Sequence, residues 1–148
     1  MSIVPEIFDW CEKFGIKRLL NTPCGGGGDC VQFENRGIHA LGVNVLPPPT
    51  APCTNHVQDD LNTWKPDGEW DAAYINCLFC TSVTGDKATI VRNVATWPIK
   101  YVLIYDTISS NADTEFDWRP HFKEAGWVPV ASQHAENGVS LVEIWRRV

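Results

Sequence analysis

The sequence predicts one α/β domain: a three-layer sandwich around a mostly parallel, seven-stranded sheet that ends in an antiparallel C-terminal hairpin strand. Apolar segments of strand length alternate with segments of helical periodicity, as in a parallel sheet covered by helices on both faces. Four consecutive glycines follow the first predicted strand. The tripeptide ENG at residues 136–138, a hairpin signal, separates strands predicted over residues 127–134 and 140–145.

The first quarter of the chain is predicted to form a helix, a strand and a second, shorter helix. Residues 5–14 carry apolar side chains at helical spacing, with Pro5 in the first turn, where its missing N–H costs nothing. The apolar run over residues 16–22 is predicted to be the first strand. After the glycines, residues 30–36 can form a short helix that ends at Gly37.

The next segment is predicted to supply three strands separated by loops. Residues 38–45 form an apolar, buried strand, and residues 46–52 hold prolines that exclude a helix and predict an extended loop. Residues 54–58 form a short third strand. The sequence KPDG at residues 65–68 is a turn by composition, and residues 70–77 follow as the fourth strand.

Two further helices are predicted on either side of the strongest strand signal. Residues 86–96 carry apolar side chains at helical spacing. The run YVLIY at residues 101–105 consists of residues that favour strands. Residues 115–125 are predicted to be a helix that ends at Gly126, with Pro120 as a defect inside it.

Composition is that of an ordinary globular domain and disfavours several classes of function. The 148 residues suit a single domain spanning 1–148, with 44% hydrophobic and 20% charged residues. A net charge of −6 at pH 7 argues against general nucleic-acid binding. No run of about 20 apolar residues is present for a membrane span, and no secretory signal opens the sequence. We therefore expect a cytoplasmic protein without a membrane partner.

The glycine run at residues 25–28 is predicted to be a ligand-binding turn, with a flexible surface loop as the alternative. Open parallel sheets bind ligands beyond the carboxyl ends of their strands, and glycine lets the backbone approach them closely. The pattern G-x-G-x-x-G of dinucleotide sites is incomplete, because its third glycine position is Cys30 in one frame and Val31 in the other. A P-loop is excluded, since no Gly-Lys-Ser/Thr follows.

The segments around this turn resemble the motifs of class I S-adenosylmethionine-dependent methyltransferases, a family with a Rossmann-like fold. The resemblance spans residues 16–148 and rests on the order of the segments. The similar segments are LLNTPCGGG at residues 19–27, LGVN at 41–44, VQDDL at 57–61, EWDAAYIN at 69–76, KEAGW at 123–127 and the final hairpin.

The resemblance implies S-adenosyl-L-methionine as the cofactor and assigns residues to its site. Asp60 would lie near the adenine amino group, with a turn cap as the alternative, Asn44 at the ribose hydroxyls and Asn76 near the methyl donor. Leu61 and Val45 would also line the cofactor site. The end of the first strand and the turn after it would supply the other cofactor-binding residues: Asn21, Pro23, Cys24, Gly25 and Gly27. Asn21 and Asn44 stand where the family carries acids, and Pro23 replaces the first glycine of its turn.

Asp106 and Asn76 are the candidates for catalysis. Asp106 ends the YVLIY strand at the same sheet edge, where it is a candidate general base, with a turn cap as the alternative. Asn76 ends the fourth strand and either meets the ligand or bonds a neighbouring loop. Enzymes of the family that methylate amino groups of DNA carry Asn/Asp-Pro-Pro-aromatic here, whereas this chain reads NCLF at residues 76–79. A small-molecule acceptor, or one brought by a partner subunit, is therefore expected, and self-association would help to wall the site.

Other functions stay open on the sequence. The asparagines at 21 and 44 are compatible with a regulatory module that binds the cofactor without methylating, and an enzyme acting on the cofactor or on a nucleotide could use the same scaffold. Cys77 and Cys80 form a C-x-x-C, which is half of a zinc site or a redox motif; buried thiols are the simpler interpretation. No resident metal is predicted.

Tryptophan is abundant for this chain length, with seven residues. Trp64, Trp70 and Trp118 are candidates for an acceptor pocket or a dimer face. Because tryptophans usually bury their rings, core packing is the stronger interpretation of all three.

Overall fold

The computed structural model describes residues 3–22, 28–44, 55–76, 78–79, 86–108 and 116–148. Its strands are β1 (Arg18–Asn21), β2 (His39–Asn44), β3 (His56–Gln58), β4 (Ala72–Asn76), β5 (Tyr101–Asp106), β6 (Trp127–His134) and β7 (Leu141–Arg147). Its helices are α1 (Pro5–Lys13), α2 (Gly28–Asn35), α3 (Lys87–Ala95) and α4 (Arg119–Glu124). The alternation of helices and strands expected from the sequence is confirmed.

The strands within the described residues form one sheet in the order β3-β2-β1-β4-β5-β7-β6. Neighbours from β3 to β5 are parallel, whereas β7 runs antiparallel between β5 and β6. The predicted parallel sheet with an antiparallel C-terminal hairpin is thereby confirmed. The chain builds outward in opposite directions from β1 and β4, so the sheet has its topological switch point between these two strands. Open α/β sheets bind ligands at such a point, beyond the carboxyl ends of the strands.

The two faces of the sheet are covered by different helices, which confirms the three-layer sandwich. Phe8 of α1 and Phe33 of α2 share one core cluster with Leu19, whereas Leu20, the next residue of β1, faces the cluster that contains α3 and α4. Adjacent strand residues point to opposite faces, so apolar runs such as these are buried on both sides. Each fully buried aliphatic or aromatic side chain contributes about 1.5–3 kcal/mol relative to exposure.

The ends of the helices match their local sequence signals. Gly15 and Gly37 follow the first two helices with φ of 67° and 77°, the left-handed conformation that glycine adopts without strain. The side chain of Asp86 caps α3 by accepting a hydrogen bond from the Thr89 N–H at 3.2 Å. Among the described residues, no helix has the length and apolarity needed to cross a membrane.

Two expectations for local structure need correction. The last helix begins at Arg119, not at residue 115, and Pro120 lies in its first turn instead of interrupting it. Proline is tolerated there because the N–H groups of the first turn have no partner within the helix. The third strand begins at His56, with residue 54 outside the described residues. The proline-rich loop predicted over residues 46–52 lies outside them as well.

Candidate functional site

The carboxyl ends of β1 and β4 meet at the switch point and carry an asparagine each. Asn21 ends β1 opposite Tyr74, so Asn76 lies two residues further along β4 on the same face. The Thr22 N–H donates to the Tyr74 carbonyl at 2.9 Å, which extends the strand pairing by one residue. The two asparagines are therefore held by the sheet backbone and not by loops.

The side chain of Asn21 is completely buried yet only half satisfied. Its amide nitrogen donates to the Cys30 sulfur at 3.4 Å. Its oxygen Oδ1 has no hydrogen-bond partner within the described part of the chain. Because nearly all buried polar groups in folded proteins are paired, this open acceptor makes Asn21 a candidate for contact with a ligand.

Asn76 repeats this arrangement on the neighbouring strand. Its amide nitrogen donates to the Asp29 carboxylate at 2.9 Å, and its buried oxygen Oδ1 again lacks a partner among the residues described. Burial raises the pKa of the Asp29 carboxyl, and the hydrogen bond from Asn76 partly opposes this effect. The two residues that bind the amide nitrogens, Asp29 and Cys30, thus both lie in the first turn of α2.

The second and third strands bring other predicted residues to the same edge. Asn44 ends β2, where its backbone pairs in register with Gln58 of β3. Asp60 follows β3 in an exposed turn and accepts two hydrogen bonds from Asn62, which lower the pKa of its carboxyl. Leu61 is buried in the core next to this turn.

Asp106 lies at the carboxyl end of β5 with a carboxylate that is already engaged. Its Oδ2 accepts the N–H groups of Leu78 and Phe79, each at 2.8 Å, and its Oδ1 accepts the N–H of Thr107 at 2.8 Å. The side chain is 1% exposed. This geometry is that of the turn cap weighed on the sequence, and it fixes the start of the segment after β4.

The segment after β4 continues into an aromatic cluster on the α4 side of the sheet. Phe79 stacks on Trp118 with ring centroids 5.3 Å apart, and Phe116 stacks on His121 at 5.1 Å. Trp118 is fully buried, which confirms core packing for this residue. Trp70 is also buried, and Trp64 packs edge-on against Trp97 in the same core.

Several predicted residues lie outside the described part of the chain. They are Pro23, Cys24, Gly25, Gly27 and Val45 of the cofactor site, and Cys77 and Cys80 of the C-x-x-C. Only Gly28 of the glycine run is described, as the first residue of α2. Within the described ranges, no three His, Cys, Asp or Glu side chains come together as a metal site.

The sequence did not single out Asp29 and Cys30 as residues that orient the site. The available signal was their position, directly after the glycine run and in the first turn of the predicted helix. Asp29 was recognisable as an acid next to a ligand-binding turn. Its partner was not, because Asn76 is 47 residues away and meets Asp29 only in the folded sheet.

A shallow cleft lies at the amino end of β5, at the edge of the sheet opposite the candidate site, and one of its arginines has a structural role. Lys100, Tyr101, Arg146 and Arg147 contribute to its lining. The Arg147 guanidinium donates to the carbonyls of residues 95, 97 and 99 after α3 and lies 4.6 Å from the ring centroid of Trp127. This arginine therefore fastens β7 to the end of α3, far from the switch point.

Comparison with known proteins supports the fold. No protein-family model matches the sequence, and no curated protein is significantly similar to it. Among solved structures, the chain is similar to the 1,6-didemethyltoxoflavin-N1-methyltransferase of Burkholderia thailandensis, which was crystallised with S-adenosylhomocysteine. The TM-score is 0.73 at 20% identity, and the match covers 97% of this chain and 77% of that one.

Two further structures agree. The magnesium protoporphyrin IX methyltransferase of Synechocystis PCC 6803, with bound SAM, has a TM-score of 0.72 at 10% identity over 97% of this chain and 77% of that one. An rRNA methylase of Escherichia coli has a TM-score of 0.65 at 12% identity over 97% of this chain and 63% of that one. The chain has the fold of class I S-adenosylmethionine-dependent methyltransferases.

Proposed function

We propose that this chain, which has the class I methyltransferase fold, binds S-adenosyl-L-methionine at the switch point and transfers its methyl group to a small-molecule acceptor. The observation that carries the proposal is the pair of open amide oxygens, Asn21 Oδ1 and Asn76 Oδ1, at the ends of β1 and β4. Leaving a buried acceptor unpaired costs about 1–3 kcal/mol. Two such groups at one sheet edge call for a ligand that brings hydrogen-bond donors.

The donor groups of S-adenosyl-L-methionine suit this edge. Its ammonium group has only N–H donors to offer, and an amide oxygen is a pure acceptor. Asn21 and Asn76 would hold the amino-acid portion, and Asn44 at the end of β2 would accept from the ribose hydroxyls. Asp60 and the Leu61 backbone, beyond β3, would flank the adenine.

The remaining contacts are proposed on the resemblance alone. The turn residues Pro23, Cys24, Gly25 and Gly27 would let the backbone approach the cofactor, and Val45 would continue the wall after β2. A glycine-rich turn leading into α2 suits this task, because it combines a close approach with the free N–H groups of a helix start.

When bound, the cofactor supplies an electrophilic methyl group on a sulfonium. The chain's own residues would align the acceptor with that group and exclude water, which is the main requirement of methyl transfer. Asp106 accepts hydrogen bonds from three backbone N–H groups, so we assign it a positioning role for the segment after β4. An acceptor that is already nucleophilic, and needs no strong base, fits this arrangement best.

A small molecule is the acceptor class that the chain favours over nucleic acid. The net charge of −6 at pH 7 opposes binding to phosphate backbones. Two of the similar structures are named for small-molecule substrates, toxoflavin and protoporphyrin derivatives, and one for rRNA. A partner subunit or a second copy of the chain could complete the acceptor side.

The direct test is calorimetry with S-adenosylmethionine and S-adenosylhomocysteine, with NAD and ATP as adenosine-containing controls. We expect micromolar binding of the first two and none of the controls. Asn76→Leu, which removes one open acceptor, should weaken binding by about tenfold or more, since one hydrogen bond to a charged group is worth about 1.5–3 kcal/mol. Equal binding of all four compounds, or of none, would contradict the proposal.

A cofactor-binding module without methyl transfer is the second candidate. The engaged carboxylate of Asp106 favours it, because this predicted base is not free. Turnover separates the two functions: formation of S-adenosylhomocysteine with any member of a panel of small nucleophiles supports the enzyme. Binding without product across the panel supports the module, and cofactor breakdown with no acceptor present identifies an enzyme that acts on the cofactor itself.

A further inference from the structure

We propose that Asp29 and Cys30 are positioning residues that turn the amides of Asn76 and Asn21 so that both present oxygen, and not nitrogen, to the ligand. This inference rests on the proposed cofactor site and specifies how that site selects an amino group. The two residues are consecutive in the first turn of α2, and each binds the amide nitrogen of one asparagine.

An asparagine side chain does not by itself determine whether its amide oxygen or its amide nitrogen faces the ligand. Rotation of the amide by half a turn exchanges an acceptor for a donor with almost no change of shape. A fixed neighbour that can only accept removes the ambiguity, because the NH₂ group must then face that neighbour. An ionised carboxylate is such a neighbour, and Asp29 Oδ2 accepts from Asn76 Nδ2 at 2.9 Å.

On the other strand the neighbour of the amide nitrogen is Cys30, whose thiol can also donate, so it fixes the Asn21 amide less firmly than Asp29 fixes that of Asn76. A thiol sulfur is a weak acceptor, and Asn21 Nδ2 lies 3.4 Å from it. Asn21 is fully buried, so its orientation is set by the protein and not by water. Both open oxygens then belong to asparagines on adjacent strands and on one face of the sheet.

This arrangement selects a ligand group by its hydrogen-bond polarity. Two acceptor oxygens bind an ammonium group and disfavour a carboxylate, which would place acceptor against acceptor. The site therefore selects the amino group of the cofactor with two neutral amides. The Asp29 carboxylate orients one of these amides by accepting from the Asn76 nitrogen. The sequence pattern of two asparagines at strand ends does not reveal this polarity, because it depends on Asp29.

Four variants test the role of Asp29 through binding of S-adenosylhomocysteine. In Asp29→Asn the new amide can donate to Asn76 Oδ1 and occupy the acceptor, so the affinity should fall by roughly tenfold. In Asn76→Asp two carboxylates face each other, and the affinity should fall similarly.

The double variant exchanges the two groups: the new amide at position 29 donates to the new carboxylate at position 76, whose second oxygen stays open. Its affinity should return to within about threefold of the original. Asp9→Asn, an exposed acid on α1, removes the same charge and should change nothing.

A second readout tests the amino group directly. The unaltered protein should bind an analogue of S-adenosylhomocysteine without its α-amino group at least tenfold more weakly than S-adenosylhomocysteine itself. In Asp29→Asn this preference should largely disappear. Thermal unfolding of each variant without ligand is the control for folding, and we expect no loss of stability in Asp29→Asn because burial already disfavours the charged form.

The outcomes separate this inference from the proposed function. If the unaltered protein binds neither cofactor nor product, the proposed function fails. If it binds and Asp29→Asn binds equally well with the same preference for the amino group, the inference is overturned while the function stands. Failure of the double variant to regain affinity, with all variants folded, overturns the inference as well.

Discussion

The two halves of the sheet differ in whether their buried polar groups have hydrogen-bond partners. On the β5-β7-β6 side the buried carboxylates are fully engaged. Glu143 accepts the indole N–H groups of Trp118 and Trp145 at 2.7 and 2.9 Å and the Ser132 hydroxyl at 2.6 Å. Asp106 accepts three backbone N–H groups.

On the β3-β2-β1-β4 side several buried polar atoms have no hydrogen-bond partner within the described residues. The oxygens Asn21 Oδ1 and Asn76 Oδ1 and both ring nitrogens of His56 lack hydrogen-bond partners among the residues that the structure describes. Since folded proteins rarely leave such groups unpaired, we expect a ligand to bind them, and we call the β5-β7-β6 side the framework half and the β3-β2-β1-β4 side the ligand half. Substitutions should therefore lower stability in the first half and ligand affinity in the second.

The largest effect is expected at Glu143. Glu143→Leu leaves two indole N–H groups and a hydroxyl without their acceptor in the core, so the free energy of unfolding should fall by about 3–5 kcal/mol. Glu143→Gln keeps one acceptor oxygen for the indoles and should lose only about 1–2 kcal/mol. Urea unfolding followed by tryptophan fluorescence measures both, and equal losses in the two variants would contradict the bonding described.

The next effect is expected at Asp106. Asp106→Asn replaces one carboxylate oxygen with an N–H donor and cannot satisfy all three backbone donors, so stability should fall by about 2–3 kcal/mol. Affinity for S-adenosylhomocysteine, measured while the variant is folded, should change little. A large loss of affinity with stability intact would instead assign Asp106 to the ligand half.

A smaller change in stability is expected from the corresponding substitution in the ligand half. Asn21→Leu introduces an apolar side chain of broadly similar size and removes one open buried acceptor together with a weak bond to sulfur. We expect a change of less than about 1 kcal/mol, of either sign, because replacing incompletely paired polar groups by apolar ones is nearly neutral. Cofactor affinity should nevertheless fall clearly. A stability loss as large as that of Glu143→Leu would remove the distinction between the halves.

The smallest effect concerns pH and has opposite signs in the two halves. Burial raises the pKa of Asp29, so its ionised form costs stability near neutral pH, and that cost disappears as the pH falls below the ordinary aspartate range. Hydrogen bonds from Arg119 lower the pKa of Asp117, so its contribution is present near neutral pH and is lost in acid.

Unfolding of Asp29→Asn and Asp117→Asn between about pH 7 and about pH 3 tests this sign. Relative to the unaltered protein, Asp29→Asn should lose its advantage as the pH falls. Asp117→Asn should begin to recover from its disadvantage only at the acid end of this range, because the contribution of Asp117 is lost as the pH falls through its lowered pKa. Parallel profiles for the two variants would show that burial does not govern Asp29.

Local pattern was a good guide to the elements of the fold. Alternating apolar segments predicted the seven strands, and the glycine after α1 and α2 predicted where these helices end. The prediction for Pro120 was wrong, because a proline is a defect inside a helix but is tolerated in its first turn. The sequence did not show where this helix begins. Strand and helix signals are local, which is why they survive without knowledge of the partners.

The candidate site was only partly accessible to such reasoning. Asn21 and Asn76 were expected at the sheet edge, and both end strands there. The roles of Asp29 and Glu143 were not foreseen, because each is defined by partners that lie far along the chain or on another strand. The sequence predicts Asp106 and Asp60 as site residues, but it does not predict which groups each carboxylate bonds within the protein.

The amino-acid sequence by itself determined the order and type of the elements, the three-layer architecture and the edge of the sheet where a ligand is expected. These features follow from hydrophobic period, glycine and proline positions and the rule for parallel sheets, all of which act over short distances. The tertiary structure alone decided which buried polar groups are satisfied and which are left open. Hydrogen-bond satisfaction depends on neighbours from separate segments, such as Asp29 beside Asn76, and only folding brings these together.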